Sequence, residues 1–137
     1  MSKVLVLDAC ALVALLKNEN GADAVATAYK DAKDDKAKII MNRVNLLEVF
    51  YGYYRDDGKN YAEKILSGVE QSLISISEFD KELFGEAGRL KATYKISLAD
   101  SIALAQAMVL DADFLTSDHH EFDVIEGKEP VRFSWIR

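Results

Sequence analysis

Lys3-Val-Leu-Val-Leu-Asp8 is the stretch on which the reading of the whole chain turns. Val and Leu follow one another from Val4 to Leu7 without polar alternation, the pattern of a strand buried on both faces, as in a parallel sheet covered by helices on each side. The apolar run stops at an acid. Asp8 therefore falls at the carboxyl end of a strand, the edge where open α/β sheets bind their ligands.

Outward from this strand, strands and helices alternate. Ala9–Lys17 and Ala22–Lys33 are rich in alanine, leucine and charge and read as two helices broken around Asn18-Glu19-Asn20-Gly21. A short strand over Lys38–Asn42 leads into Asn45-Leu-Leu-Glu48, which has the form of a helix start, and Asp56-Asp57-Gly58 ends that helix. Tyr61–Gln71 reads as a further helix and Leu73–Ile76 as a third strand. Phe79, Leu83, Ala87, Leu90 and Tyr94 recur at helical spacing, so Glu78–Tyr94 is an amphipathic helix. Leu98–Leu110 is apolar almost all round and reads as a buried helix. Phe114–Thr116 and, after Pro130, Val131–Ile136 supply two more strands. Because parallel strands need crossover connections, this order predicts an α/β three-layer sandwich with a mostly parallel central sheet of about five strands, a single domain over residues 1–137.

Composition narrows the function classes. With 137 residues, half of them apolar, the chain can bury a core without staples. Cys10 is the only cysteine, which excludes an intramolecular disulfide and agrees with a reducing compartment. No basic-then-apolar leader precedes the first strand and no apolar run reaches about 18 residues, so a cytoplasmic protein without a membrane span is expected. A net charge of −6 argues against a broad basic face for nucleic acid, but leaves a nuclease open.

Four acids stand where stability alone explains them poorly: Asp8, Glu48 in NLLEVF, Asp100 in SLADSIALAQA, and Asp118 in FLTSD. Helix capping is the competing explanation for each. Asn45-x-x-Glu48 and Ser97-x-x-Asp100 fit a capping box, as does Ser77-x-x-Asp80, while Asp8 and Asp118 could cap the segments that follow them. Against capping alone stands the apolar setting of Asp100, where an uncompensated charge is unfavourable and a metal ion or a buried lysine would answer it. Ser97, Asp100 and Ser101 share one helical face, and Thr116 and Ser117 adjoin Asp118. Carboxylates held together resist ionising unless a divalent cation with oxygen ligation neutralises them.

In Val4-Leu-Val-Leu-Asp8-Ala, Asn45-Leu-Leu-Glu48, Leu98-Ala-Asp100-Ser-Ile-Ala-Leu-Ala and Ala112-Asp-Phe-Leu-Thr116-Ser-Asp118-His-His-Glu-Phe122, in that order, the chain resembles the PIN domain family of metal-dependent ribonucleases, and within it the VapC-type toxins of toxin–antitoxin pairs. The resemblance implies endonucleolytic cutting of RNA with one or two Mg²⁺ or Mn²⁺ ions, a protein antitoxin, and a homodimer. The four acids match the family's catalytic and metal-binding set. Asp8 and Asp118 would ligate directly, Glu48 and Asp100 would ligate or hold the ion's waters, and Thr116, Ser117 and Ser101 would support them. One departure is Asn45, where the family often has serine or threonine.

Other features have plainer readings. Arg89, Lys91 and Lys95 could guide an RNA backbone or simply be a solvated helix end. His119-His120 lacks the spacing and partners of a transition-metal site, and Cys10 reads as a small side chain beside the acids rather than a nucleophile. Phe50, Tyr51, Tyr53 and Tyr54 point in more directions than one core-facing stripe needs, so some should face a partner. Alternatives are a PIN nuclease of RNA processing or decay, a phospho-receiver domain, which normally needs a second early acid, and an inactive binding module.

Overall fold

The structure is a computed structural model and describes residues 3–137; Met1 and Ser2, with which the expected domain span opens, lie outside the described residues. Five strands, β1 (Lys3–Leu7), β2 (Ala37–Asn42), β3 (Ser75–Ser77), β4 (Asp113–Thr116) and β5 (Arg132–Trp135), form one sheet in the order β3-β2-β1-β4-β5. Every pairing is parallel, so the expected mostly parallel sheet is wholly parallel among the described residues. The helices are α1 (Ala9–Leu16), α2 (Ala22–Lys33), α3 (Arg43–Asp57), α4 (Lys59–Glu70), α5 (Lys81–Thr93), α6 (Leu98–Val109) and the single turn α7 (His119–Phe122).

Successive side chains of β1 alternate between the two faces, and both faces are apolar. Leu5 and Leu7 join a core with Leu12 of α1, Val25 of α2, Leu46 and Val49 of α3 and Val69 of α4. Val6 joins the opposite core, with Leu83 and Leu90 of α5, Leu104 of α6, Phe114 and Phe122. Full burial of side chains this size contributes about 1.5–3 kcal/mol each, which is why a polar residue in this stretch would be costly. The chain leaves β1 toward β2 on one side and β4 on the other. Asp8 thus sits at the point where strand order reverses, with Leu7 registered to Leu115 just before Thr116.

The break between α1 and α2 falls where the sequence put it. Gly21 has φ +100°, and a Cβ there would come within 2.9 Å of the Ile136 carbonyl, so the turn holds the C-terminal segment through a contact that any side chain would displace. Several predicted boundaries move. Asn42, not Asn45, caps α3, its side chain accepting the Val44 N–H at 2.9 Å. Asp80 is itself the cap of α5, accepting the Leu83 N–H at 2.9 Å, rather than the third residue of a box opened by Ser77. The two boundaries move in opposite directions, α3 starting three residues earlier than read and α5 three residues later, because in each case another polar side chain takes the first free N–H groups.

Candidate active site

Asp8 and Asp118 reach the carboxyl edge of the sheet from neighbouring strands, and Glu48 and Asp100 approach it from α3 and α6. Thr116 links the first two. Its hydroxyl donates to Asp8 Oδ2 at 2.5 Å and accepts the Asp118 N–H at 3.0 Å. Asp8 Oδ1 accepts the Ala11 N–H at 2.9 Å, so Asp8 caps α1, and Asp118 Oδ1 accepts the Glu121 N–H at 3.1 Å, capping α7. Capping and clustering are therefore compatible, since each of these carboxylates is anchored through one oxygen at a helix start.

Asp100 is held differently. Ser97 caps α6 and its hydroxyl accepts the Asp100 N–H at 3.1 Å, the first half of the expected box. The reciprocal bond is missing, because the Ser97 N–H donates to Glu121 Oε1 at 3.0 Å. The Asp100 carboxyl instead interacts with the Ser97 side chain and with Glu121, and lies near Asp8 and Asp118. Glu48 lies in the second turn of α3, past the free N–H groups, where Asn45 Nδ2 donates to Glu48 Oε1 at 3.4 Å and to the Ala99 carbonyl at 3.0 Å. Asn45 is fully buried, and its Oδ1 finds no hydrogen-bond partner among the described residues. Asn45, singled out in the sequence only as a departure from the family's serine or threonine, and Glu121, which the site reading did not include, both adjoin the acids.

Electrostatics register how close the acids are. Burial pushes the Asp8 carboxyl up to about 6 despite its bonds from Thr116 and Ala11, with Asp118 and Glu48 adding repulsion. Asp100 rises to about 8, again through burial first, then through Asp118 and Asp8 and a hydrogen bond shared with Glu121. Glu48 is raised by burial and by Asp118, and is relieved by Asn45. No lysine or arginine forms an ion pair with any of the four among the described residues. The buried lysine that could have compensated Asp100 is not there. A set of carboxylates with hard oxygen donors, mutual repulsion and an unsatisfied amide oxygen nearby matches the chemistry of Mg²⁺ or Mn²⁺. As the side chains stand, no three His, Cys, Asp or Glu among the described residues form a group that could hold a metal ion.

The remaining candidates sort themselves by contact. Ser101 is buried and its hydroxyl donates back to the Leu98 carbonyl at 2.6 Å, so the predicted polar stripe ends at Asp100. Ser117 Oγ is buried and makes no hydrogen bond of ordinary geometry among the described residues, its side chain lying against the Cys10 thiol. Burial and the neighbouring Asp8, Asp118 and Asp100 push the Cys10 thiol up to about 12, which keeps it protonated and unsuited to nucleophilic attack. His119 stacks on Trp135, with ring centroids 3.9 Å apart, and bonds Asp123 and the Arg137 carbonyl, fastening α7 to the C-terminal strand. Arg89 is gripped by Glu86 and by Glu129, each at 2.6 Å, and so is not a free guide for a phosphate backbone. Tyr53 is buried, while Tyr51 and Tyr54 are exposed on α3.

Comparison with known proteins agrees with this architecture. No curated protein matches the chain in sequence. A chain in the DNA-bound VapBC structure from Salmonella typhimurium superposes with a TM-score of 0.78 at 15% identity, covering 100% of both chains. A toxin–antitoxin complex from Klebsiella pneumoniae gives 0.67 at 19% identity, covering 93% of this chain and 98% of that one. VapC20 from Mycobacterium tuberculosis, described as a Sarcin-Ricin loop cleaving toxin, gives 0.58 at 15% identity, covering 80% and 86%. The model of the PIN domain matches residues 5–128, nearly the whole chain with all four acids inside it, and the protein belongs to the PIN domain family.

Proposed function

We propose that this chain is a divalent-metal-dependent endoribonuclease and the toxin of a toxin–antitoxin pair. What supports the reading is the mutual electrostatic influence of Asp8, Glu48, Asp100 and Asp118, none of which forms an ion pair with a lysine or arginine among the described residues. A family of nucleases and similarity in fold to chains from toxin–antitoxin structures support it.

Asp8 and Asp118 would hold the Mg²⁺ or Mn²⁺, and Glu48 and Asp100 would ligate it or its waters. The ion supplies neutralisation of the charge that builds on the phosphate and activation of the attacking water. Thr116 keeps the Asp8 carboxylate in one orientation through Oδ2, and Asn45 does the same for Glu48. Asp100, close to Asp8 and Asp118, would ligate the ion or hold one of its waters. Leu47, Tyr51 and Tyr54 are exposed on α3, and an apolar groove between α3 and α4 is lined by Leu46, Leu47, Phe50 and Leu66; these surfaces suit an antitoxin segment and a second copy of the chain.

Cleavage of a mixed RNA substrate with Mg²⁺ or Mn²⁺ tests the reading. Asp8→Asn and Asp100→Asn are each expected to reduce the rate at least about a hundredfold, in line with the several kcal/mol an ion contributes to charge stabilisation. Cutting that survives both substitutions, or needs no divalent ion, would overturn it.

A further inference from the structure

A groove runs from the acids along the seam between α1 and α3. Ala9, Val13 and Lys17, spaced by four residues, line one wall from α1; Glu48, Gly52, Tyr53 and the Arg55–Asp56 pair line the other from α3. It starts beside Asp8, passes Glu48 and ends at Lys17, about 12 Å along α1 from Ala9 at helical rise. Its cavity volume is about 180 Å³, smaller than the ~300 Å³ from which small-molecule sites begin, so it suits part of a longer ligand rather than a ligand of its own.

Three features point to what lies in it. Lys17 is exposed and makes no ion pair among the described residues; its ammonium instead sits 5.2 Å from the centre of the Tyr53 ring. Arg55, farther along the same rim, pairs with Asp56 at 2.9 Å. Gly52 interrupts the middle of α3, where glycine costs about 1 kcal/mol against alanine, yet nothing lies within 4 Å of where its Cβ would be. Gly68, Gly85 and Gly88 are equally open on other helices, so openness alone means little. Gly52 differs because its open side is a walled groove that leads to the acids.

We infer that the α1–α3 groove is a subsite for the nucleotide flanking the scissile phosphate of a single-stranded RNA, with Lys17 on its backbone phosphate and Gly52 leaving room for its sugar or base. This rests on the nuclease reading above and places the strand on the side of Glu48 and Lys17, away from the Arg89, Lys91 and Lys95 cluster. Chain backbone approaching a glycine closely is a familiar use of that residue, and Lys17, near Asp56 but in no direct ion pair with it among the described residues, can turn its ammonium to a phosphate.

Gly52→Leu fills the groove on a helix that tolerates leucine better than glycine, and Lys17→Gln removes the charge, with Lys17→Arg as the conservative control. Thermal midpoints and Mn²⁺ titrations of all three are expected to match the unsubstituted chain. Cleavage of a randomised single-stranded RNA pool, read by sequencing the cut ends, is expected to show an altered preference beside the cut for Gly52→Leu. Its KM should rise about tenfold while kcat stays within about twofold. Lys17→Gln should reduce the slope of log affinity against log salt by about 0.7, the loss of one single-strand phosphate contact, and Lys17→Arg should restore it. Unchanged cut sites, KM and salt slope would overturn the subsite while leaving the nuclease intact. Conversely, if the unsubstituted chain binds the pool in Mn²⁺ without cutting it and both variants weaken binding, the groove stands and the nuclease reading fails. A chain that binds no RNA overturns both, and leaves the groove to a peptide.

Discussion

Replacing Thr116 by valine keeps the shape of a fully buried side chain and removes the hydroxyl that donates to Asp8 Oδ2 and accepts the Asp118 N–H. Leaving buried polar groups unpaired costs about 1–3 kcal/mol, so Thr116→Val should lower the urea-unfolding free energy by about 2 kcal/mol. The same change frees one oxygen of Asp8 to turn. Losing an orienting partner of a ligand typically costs ten- to a hundredfold in metal affinity or rate, and Mn²⁺ calorimetry with RNA cleavage reads both. Asn45→Ala is expected to act on Glu48 instead, weakening Mn²⁺ binding about tenfold while also loosening α3 from α6 through the lost bond to Ala99. If Mn²⁺ affinity is unchanged in Asn45→Ala, its amide only braces the two helices. The four acids stood out in the sequence because each breaks an apolar pattern. The contacts of Asn45 and Glu121 did not, since their partners Ala99 and Ser97 lie 54 and 24 residues away and only the fold brings them near.

Helix starts show where local reading succeeds and where it slips. The box read at Ser97 holds in its hydroxyl half, because α6 has no earlier polar residue able to cap it. At α3 the reading was displaced by three residues, since Asn42 ends β2 and can cap at once. That displacement matters to the site: starting at Arg43 puts Glu48 beyond the helix-end N–H groups and leaves its carboxylate to the acids. Strand β3 also shifted, from Leu73–Ile76 to Ser75–Ser77, because Ser72 and Leu73 are drawn into the turn leaving α4 by the Ser72 Oγ bond to the Val69 carbonyl. Order and type of the elements survive such slips because the apolar periodicity spans whole elements, whereas a boundary depends on one competing hydrogen bond. The α5 helix gives a separate prediction. Arg89 joins α5 to the loop before β5 through Glu129, which also accepts the Tyr94 hydroxyl at 2.6 Å. Arg89→Ala should lower stability by about 1 kcal/mol or less, the range for half-exposed pairs, and leave the salt dependence of RNA binding unchanged. A flattened salt slope would restore the guiding role that its ion pairs argue against.

A net charge of −6, concentrated in part at one sheet edge, couples the stability of the fold to pH and to divalent ions. Asp8 has its carboxyl raised from 3.8 to about 6, so between those values the folded protein holds more protons than the unfolded chain. Stability therefore falls as pH rises through that window, by about 3 kcal/mol for a rise of this size. Asp100, raised to about 8, extends the decline toward that pH, and Glu48 and His119, both raised, act with the same sign. Opposing them, Asp56, Glu78 and Glu129 have lowered carboxyls, whose contribution is present above the usual carboxylate range and lost as pH falls below it. With a chelator present, thermal unfolding should thus give a stability maximum near about pH 4 and a lower midpoint at pH 8. Mg²⁺ or Mn²⁺ binds only the ionised acids of the folded state, so it should raise the midpoint most at pH 8 and least at pH 5, shifting the maximum toward neutrality. Asp8→Asn removes the largest buried charge and should flatten the decline between pH 4 and 6 in chelator while abolishing most of the ion's effect. A chelated protein that grows steadily more stable from pH 5 to 8, or an ion effect of equal size at both ends, would mean that the four carboxylates do not share one electrostatic site.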